Sequence, residues 1–146
     1  MRISAPFRLP VLMLALPLAA QEPALKDTFL QAKALWSTQG NREEATTRFE
    51  KVVEALAPKA GTLTPEWTQV LCESYNWLAI LDDRAAPTRP RAKARLEALI
   101  ALSADFDVDR AITSAKLSAL FDSLKADKLG SLKVVYHPEG GQLVVD

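Results

Sequence analysis

Few residues in this sequence could do chemistry, and they lie far from one another. His137 sits in a predicted turn beside Pro138, with no serine or cysteine nucleophile placed near it. A catalytic histidine needs a group to deprotonate and a partner that orients its ring. Cys72 lies among apolar residues of a predicted helix, where we expect a small core side chain; a reactive or intermolecular thiol is the alternative. One cysteine and one histidine exclude a disulfide framework and a zinc site of cysteine and histidine ligands.

A short acidic segment resembles a calcium-binding loop but lacks two of its essential residues. Asp105, Asp107 and Asp109 alternate as the first ligands of such a loop do. Arg110 then stands where the loop needs glycine, and Lys116 stands where it needs a bidentate glutamate. We therefore expect a solvated loop between helices. The sequence predicts no catalytic residue, no metal site and no cofactor.

A run of basic residues is the strongest candidate for binding, because no acidic residue interrupts it before Glu97. Cations at the start of a helix oppose its dipole, so Arg91 and Lys93 cost that helix about a few tenths of a kcal/mol. We therefore expect an anionic partner, either an acidic peptide or an envelope polyanion. The alternative is a solvated loop whose charges offset acids elsewhere. Together with two aromatic side chains that can anchor a partner, the predicted partner-binding residues are Arg84, Arg89, Arg91, Lys93, Arg95, Tyr75 and Trp77.

Length and composition limit the chain to one domain with a small appendage. The 146 residues are 49% apolar and 25% charged, which excludes disordered and low-complexity classes and leaves a mainly helical globular protein. The 18 basic residues balance 18 acidic residues. A zero net charge argues against a dedicated nucleic-acid-binding protein, which is normally basic.

The first twenty residues have the pattern of a secretory signal peptide. Arg2 and Arg8 precede an apolar run that ends at Ala20. The run is about twelve residues long, against roughly twenty for a membrane-spanning helix. A buried N-terminal helix is the alternative, but Pro10 and Pro17 each cost an interior helix about 3 kcal/mol. We expect cleavage near Ala20 and a periplasmic or secreted mature chain without a membrane span.

The apolar spacing of the mature part predicts about five helices. We expect these over 24–39, 41–57, from 65 to a loop at 82–90, over 91–102, and from 113 or 114 onward. The predicted N-cap residues are Asn41, Thr64 and, for the fifth helix, either Thr113 or Ser114. Trp36 lies on the apolar stripe of the first helix, so core packing is favoured there.

Large and small apolar residues recur at fixed spacing in the first two predicted helices, and a later helix repeats the second-helix pattern. They are Phe29, Ala32, Trp36, Ala45, Phe49 and Val52, with Ala92, Leu96, Leu99 and Ala104 in the later helix. This spacing resembles the tetratricopeptide repeat, a helix pair of about 34 residues. The resemblance covers residues 24 to 106, and it implies stacked helix hairpins whose curved surface binds peptides or proteins.

After Gly130 the apolar period changes to two, which predicts a β-hairpin with strands at 131–136 and 142–145. This tail resembles the opening of a PEGA domain, a small β domain often found on exported bacterial proteins. Pro138, Glu139 and Gly140 match its turn.

Together these patterns predict a mainly α protein of TPR-like helix hairpins with a short C-terminal β-hairpin. The expected domains are a signal peptide at 1–20, a helical domain at 21–128 and the hairpin at 129–146. We expect an exported, non-enzymatic interaction or scaffolding module of the bacterial cell envelope, with a protein or peptide partner. The alternative is a structural envelope component that self-assembles through its C-terminal β edge.

Overall fold

Five α-helices and one 3₁₀-helix account for most of the described part of the chain. The computed structural model describes residues 18–37, 41–84 and 88–130. The 3₁₀-helix, Ala57–Thr62, lies between the second and third α-helices and contains Pro58. The α-helices are α1 (Leu18–Ser37), α2 (Arg42–Leu56), α3 (Pro65–Asp83), α4 (Arg89–Leu102) and α5 (Ala115–Leu129).

The prediction of a mainly helical protein is confirmed. The observed helices differ from the predicted ones in where they begin and end. The predicted loop at 82–90 is shorter than expected, because α3 continues to Asp83 and α4 begins at Arg89. Pro90 is tolerated there because backbone N–H groups in the first turn of a helix have no acceptor within the helix. The N–H that proline lacks therefore costs no helical hydrogen bond. At the other end, α5 stops where Gly130 takes a φ of 69°, a left-handed conformation that favours glycine.

Two of the three predicted N-caps form. The Thr64 hydroxyl accepts a hydrogen bond from the Trp67 backbone N–H at 3.4 Å, and the Ser114 hydroxyl accepts one from the Leu117 N–H at 3.1 Å. The Asn41 prediction is wrong, because its side chain makes no capping hydrogen bond. Thr64 and Ser114 have the extended backbone that a capping side chain needs, with ψ of 159° and 148°, whereas ψ of Asn41 is 40°.

Helices α1 and α3 run parallel, side by side. The Lys26 ammonium lies 2.8 Å from the Glu66 carboxylate, and the Lys33 ammonium lies 3.1 Å from that of Glu73. Each pair is separated by 40 residues. From the first ion pair to the second, the chain advances seven residues on α1 and seven residues on α3. The two helices therefore run in the same direction and keep a constant register.

The core consists of two clusters that meet at α3. The first lies among α1, α2 and α3, and the second lies among α3, α4, α5 and the loop before α5. Trp36, Tyr75 and Trp77 are partly buried and pack against both clusters. The Trp77 ring stacks on Phe49 with centroids 6.1 Å apart, and its centroid is 5.5 Å from that of Trp36. The apolar stripes predicted for α2, α3 and α4 are buried, as expected.

Two sequence predictions fall largely outside the described residues. Nothing of the predicted signal segment is described before Leu18, where α1 begins. The two strands of the predicted C-terminal hairpin, at 131–136 and 142–145, lie outside as well. The described ranges contain no strand, and none of their helices is long and apolar enough to cross a membrane.

Replacing Phe49 or Leu96 by alanine should lower the free energy of unfolding by about 2–5 kcal/mol, because each change leaves a cavity in a packed core. Both side chains are 0% exposed, one in each cluster. Leu30→Ala is the matched control, since Leu30 is 53% exposed and should change stability by less than about 0.5 kcal/mol. Urea unfolding measures the free energy of unfolding of all three variants. Equal effects of Leu96→Ala and Leu30→Ala would contradict the assigned core.

Candidate functional site

An arginine-lined cleft lies between the start of α2 and the connection from α3 to α4. Its volume is about 450 Å³. Three threonines and Leu81 form part of its wall. Its charged lining residues are Arg42, Glu43 and Glu50 from α2, with Asp82, Arg84 and Arg91 from the α3–α4 corner.

The cleft contains two members of the predicted basic run. Arg91 belongs to the first turn of α4 and is exposed. Arg84 follows the last residue of α3, and its guanidinium carbon lies 4.2 Å from the centroid of the Trp36 ring. This cation–π contact positions the guanidinium and leaves the Arg84 side chain exposed at the cleft.

The other three basic residues are placed differently. Lys93 is exposed and does not line the cleft. The Arg89 Nε lies 3.6 Å from the Asp83 carboxylate, so this cation has an intramolecular partner. Arg95 is more deeply placed, with a side chain that is only 22% exposed. Within the basic run, Arg84 and Arg91 therefore line the cleft, whereas Arg95 pairs with acidic residues behind it.

Arg95 connects three helices beneath the cleft. Its Nη2 donates to Oε1 of Glu50 on α2 at 2.9 Å. Its Nε lies 3.7 Å from Oδ2 of Asp82 on α3. One cation is thus shared between two of the three carboxylates that line the cleft.

Asp82 is a buried carboxyl with an incomplete set of partners. Its side chain is 6% exposed, and its Oδ2 has no hydrogen bond within the described residues. Burial raises the pKa of Asp82, whereas the nearby charges of Arg95 and Arg91 act in the opposite direction. The carbonyl oxygen of Asp82 accepts a hydrogen bond from the Thr88 hydroxyl at 2.7 Å, which ties the start of α4 to the end of α3.

Arg42 is the site residue that sequence reasoning missed. It is the exposed first residue of α2 and makes no ion pair with any described residue. It stands more than forty residues before Arg84 in the sequence, within a stretch that also contains acids. The packing of α2 against α3 brings these distant residues to one cleft.

The two aromatic residues predicted to anchor a partner contribute to the core instead of projecting freely. Trp77 stacks on Phe49, and Tyr75 packs against both core clusters. Burial raises the pKa of Tyr75, and the charge of Arg95 partly offsets this effect. Neither residue lines the arginine cleft.

Of the other candidates from the sequence, Cys72 and the three aspartates lie within the described residues. Cys72 is 1% exposed, and burial raises the pKa of its thiol, which keeps it protonated at neutral pH. The side chains of Asp105, Asp107 and Asp109 are exposed in the loop before α5. No cluster of three or more metal-ligating side chains occurs within 18–37, 41–84 and 88–130. His137 lies outside these ranges.

Comparisons with known proteins identify no relative. No family model, no curated protein and no solved structure matches this chain. The resemblances to the tetratricopeptide repeat and to the PEGA domain therefore stay predictions, and the argument for function depends on the site itself.

The raised pKa of Asp82 predicts a pH-dependent contribution to stability. Because the native state holds this proton more tightly than the unfolded state, the contribution is present below the ordinary pKa of 3.8 and is lost as pH rises through the raised pKa. We expect the wild type to gain stability relative to Asp82→Asn as the pH falls from about 7 to about 4. Urea unfolding across this range tests it. A relative loss of wild-type stability on acidification would contradict the prediction.

Proposed function

We propose that this chain is an exported, non-enzymatic interaction module that holds an anionic protein or peptide segment in the arginine-lined cleft. The observation that carries the proposal is the excess of positive charge there. Arg95 is shared between Glu50 and Asp82. With Arg95 included, four guanidinium groups stand against the carboxylates of Glu43, Glu50 and Asp82, which leaves an excess of one positive charge at the cleft.

Helix geometry adds to the attraction for anions. Both α2 and α4 begin at this cleft, with Arg42 as the first residue of α2 and Arg91 in the first turn of α4. The N-terminus of a helix carries a partial positive charge that attracts anions. At α4 this charge acts without free N–H donors from Pro90 or Arg91, since proline has no N–H and the Arg91 N–H donates to the Thr88 carbonyl at 2.8 Å. Guanidinium groups pair with carboxylates in a bidentate geometry, which suits glutamate and aspartate side chains of an extended segment.

The volume of the cleft supports binding of a short segment. A volume of about 450 Å³ falls within the usual range of ligand sites. Long-range attraction of this kind is screened over about 8–10 Å at physiological salt, so the affinity should decrease as salt is added. The alternative function, self-assembly through a C-terminal β edge, depends on residues 131–146, which the structure does not describe.

Neutralising the cleft should weaken binding of an acidic probe by about tenfold or more, since one charge-assisted hydrogen bond contributes about 1.5–3 kcal/mol. The variant combines Arg42→Gln, Arg84→Gln and Arg91→Gln. Calorimetry with an acetylated tetraglutamate amide measures the affinity, and a salt series measures the number of charge contacts.

The matched control combines Lys51→Gln, Lys93→Gln and Lys116→Gln, which removes the same charge from exposed positions outside the cleft. We expect its affinity to stay within about twofold of the wild type. Equal losses in both triple variants would assign the binding to net charge alone. Absence of binding by the wild type would overturn the proposed function.

Export predicts a shortened mature chain. Material secreted by a bacterial host should lack about the first twenty residues, because the cationic start and short apolar run form a cleavable signal. Intact-mass spectrometry of the periplasmic fraction checks this, and N-terminal sequencing should begin at or next to Gln21. Full-length protein confined to the cytoplasm would contradict export.

A further inference from the structure

A second cavity lies among α1, α3 and the loop that connects α4 to α5. Its volume is about 260 Å³. It shares no lining residue with the arginine-lined cleft. Lys33 from α1, Asn76 and Trp77 from α3, and Phe106 from the loop contribute to its wall.

Asn76 lines this cavity and carries a buried, unpartnered acceptor. Asn76 is 6% exposed, and its Oδ1 has no hydrogen-bond partner within the described residues. Buried polar groups in native proteins almost always have a partner, so each exception needs an explanation. Ser74, on the same helix and fully buried, does have one: its hydroxyl donates to the Val70 carbonyl at 2.7 Å.

The charges around the cavity favour a cation. Glu73, Asp107 and Asp109 line it, against the single ammonium of Lys33, which pairs with Glu73 at 3.1 Å. Oδ1 of Asp107 accepts the Val108 N–H at 2.9 Å, and Oδ1 of Asp109 accepts the Ala111 N–H at 2.9 Å. These hydrogen bonds hold both carboxylates in place on the loop.

Arg110 is the basic residue of the same loop, and it contacts Asp122 more closely than it contacts Asp107. Its guanidinium donates two hydrogen bonds to the Asp122 carboxylate, at 3.0 and 3.2 Å, and lies 3.9 Å from Asp107. Arg110 does not line the cavity. The excess of negative charge at the cavity is therefore retained.

Aromatic surface completes the site. The rings of Trp77 and Phe106 line the same cavity, together with the aliphatic side chain of Ile112. Aromatic faces attract guanidinium and ammonium groups, and more strongly where water is partly excluded.

We propose that this cavity binds a cationic N–H donor, the guanidinium or ammonium group of a basic side chain. The Asn76 Oδ1 accepts from the group, Asp107 and Asp109 compensate its charge, and the two aromatic rings contact its apolar stem. An anionic group would face three carboxylates in the same space. The site is independent of the arginine-lined cleft, so it can be present whether or not the cleft binds an acidic segment.

Nuclear magnetic resonance titration tests the proposal directly. The probes are acetyl-arginine amide and the peptide acetyl-Gly-Arg-Gly-amide, each compared with its neutral citrulline counterpart. We expect saturable shifts of the Trp77 indole and the Asn76 carboxamide, with at least about fivefold weaker binding of the citrulline probes. Tighter binding of the peptide would show that the flanking backbone of a peptide adds to the contact, and equal binding would show that the guanidinium side chain alone is recognised; both support the cation site.

The variants separate contact from net charge. Asp107→Asn with Asp109→Asn keeps the side-chain acceptors for the loop N–H groups, and it should weaken the arginine probes by about fivefold or more. Asp105→Asn with Asp127→Asn is the matched control, because it removes the same two charges from exposed positions outside the cavity, and it should leave the affinity unchanged. Asn76→Leu should abolish the titration if the protein still folds. No saturable shift with either arginine probe, or equal binding of acetyl-glutamate amide, would overturn the proposal.

Discussion

The packing of α3 between two core clusters is the constraint on which the rest of this structure depends. Leu71 and Leu78 belong to the cluster with α1 and α2, whereas Ala79 and Ile80 belong to the cluster with α4 and α5. Trp77 joins the two, since its ring packs against both and stacks on Phe49 of α2. A helix enclosed in this way buries polar as well as apolar side chains.

That enclosure explains why α3 supplies a buried polar group to each candidate site. Asp82 lies at the cleft and Asn76 lies at the second cavity, and each retains an oxygen without a hydrogen bond within the described residues. Buried unpartnered oxygens destabilise a fold, and natural proteins tolerate them where a ligand or ion completes the set. Arg95 lies 3.7 Å from Asp82, whereas the Asn76 oxygen has no hydrogen-bond partner among the described residues. The two proposed sites also differ in charge, since arginines predominate at the cleft and carboxylates predominate at the second cavity.

The helical architecture followed from local rules that act within a few residues. Apolar spacing predicted α2 through α5 to within a few residues at most ends, and Thr64 and Ser114 capped the helices that they precede. The Asn41 cap did not form because a capping side chain needs an extended backbone, and Asn41 has a ψ of 40°. Its residue type had indicated a cap, but its own backbone conformation is incompatible with one.

The sequence by itself determined the helices, their buried faces and the presence of a basic run, because each of these features depends on residues that are only a few positions apart in the chain. Only the tertiary structure decided what the basic residues do. It placed Arg42 beside Arg84 and Arg91, and it assigned Arg95 to the acids of two other helices. It also left the Asn76 carboxamide unpartnered in a cavity whose acidic wall comes from a loop thirty residues later. Contacts between residues this far apart depend on how helices dock, and docking is set by the shape of whole apolar faces, which no short-range pattern encodes.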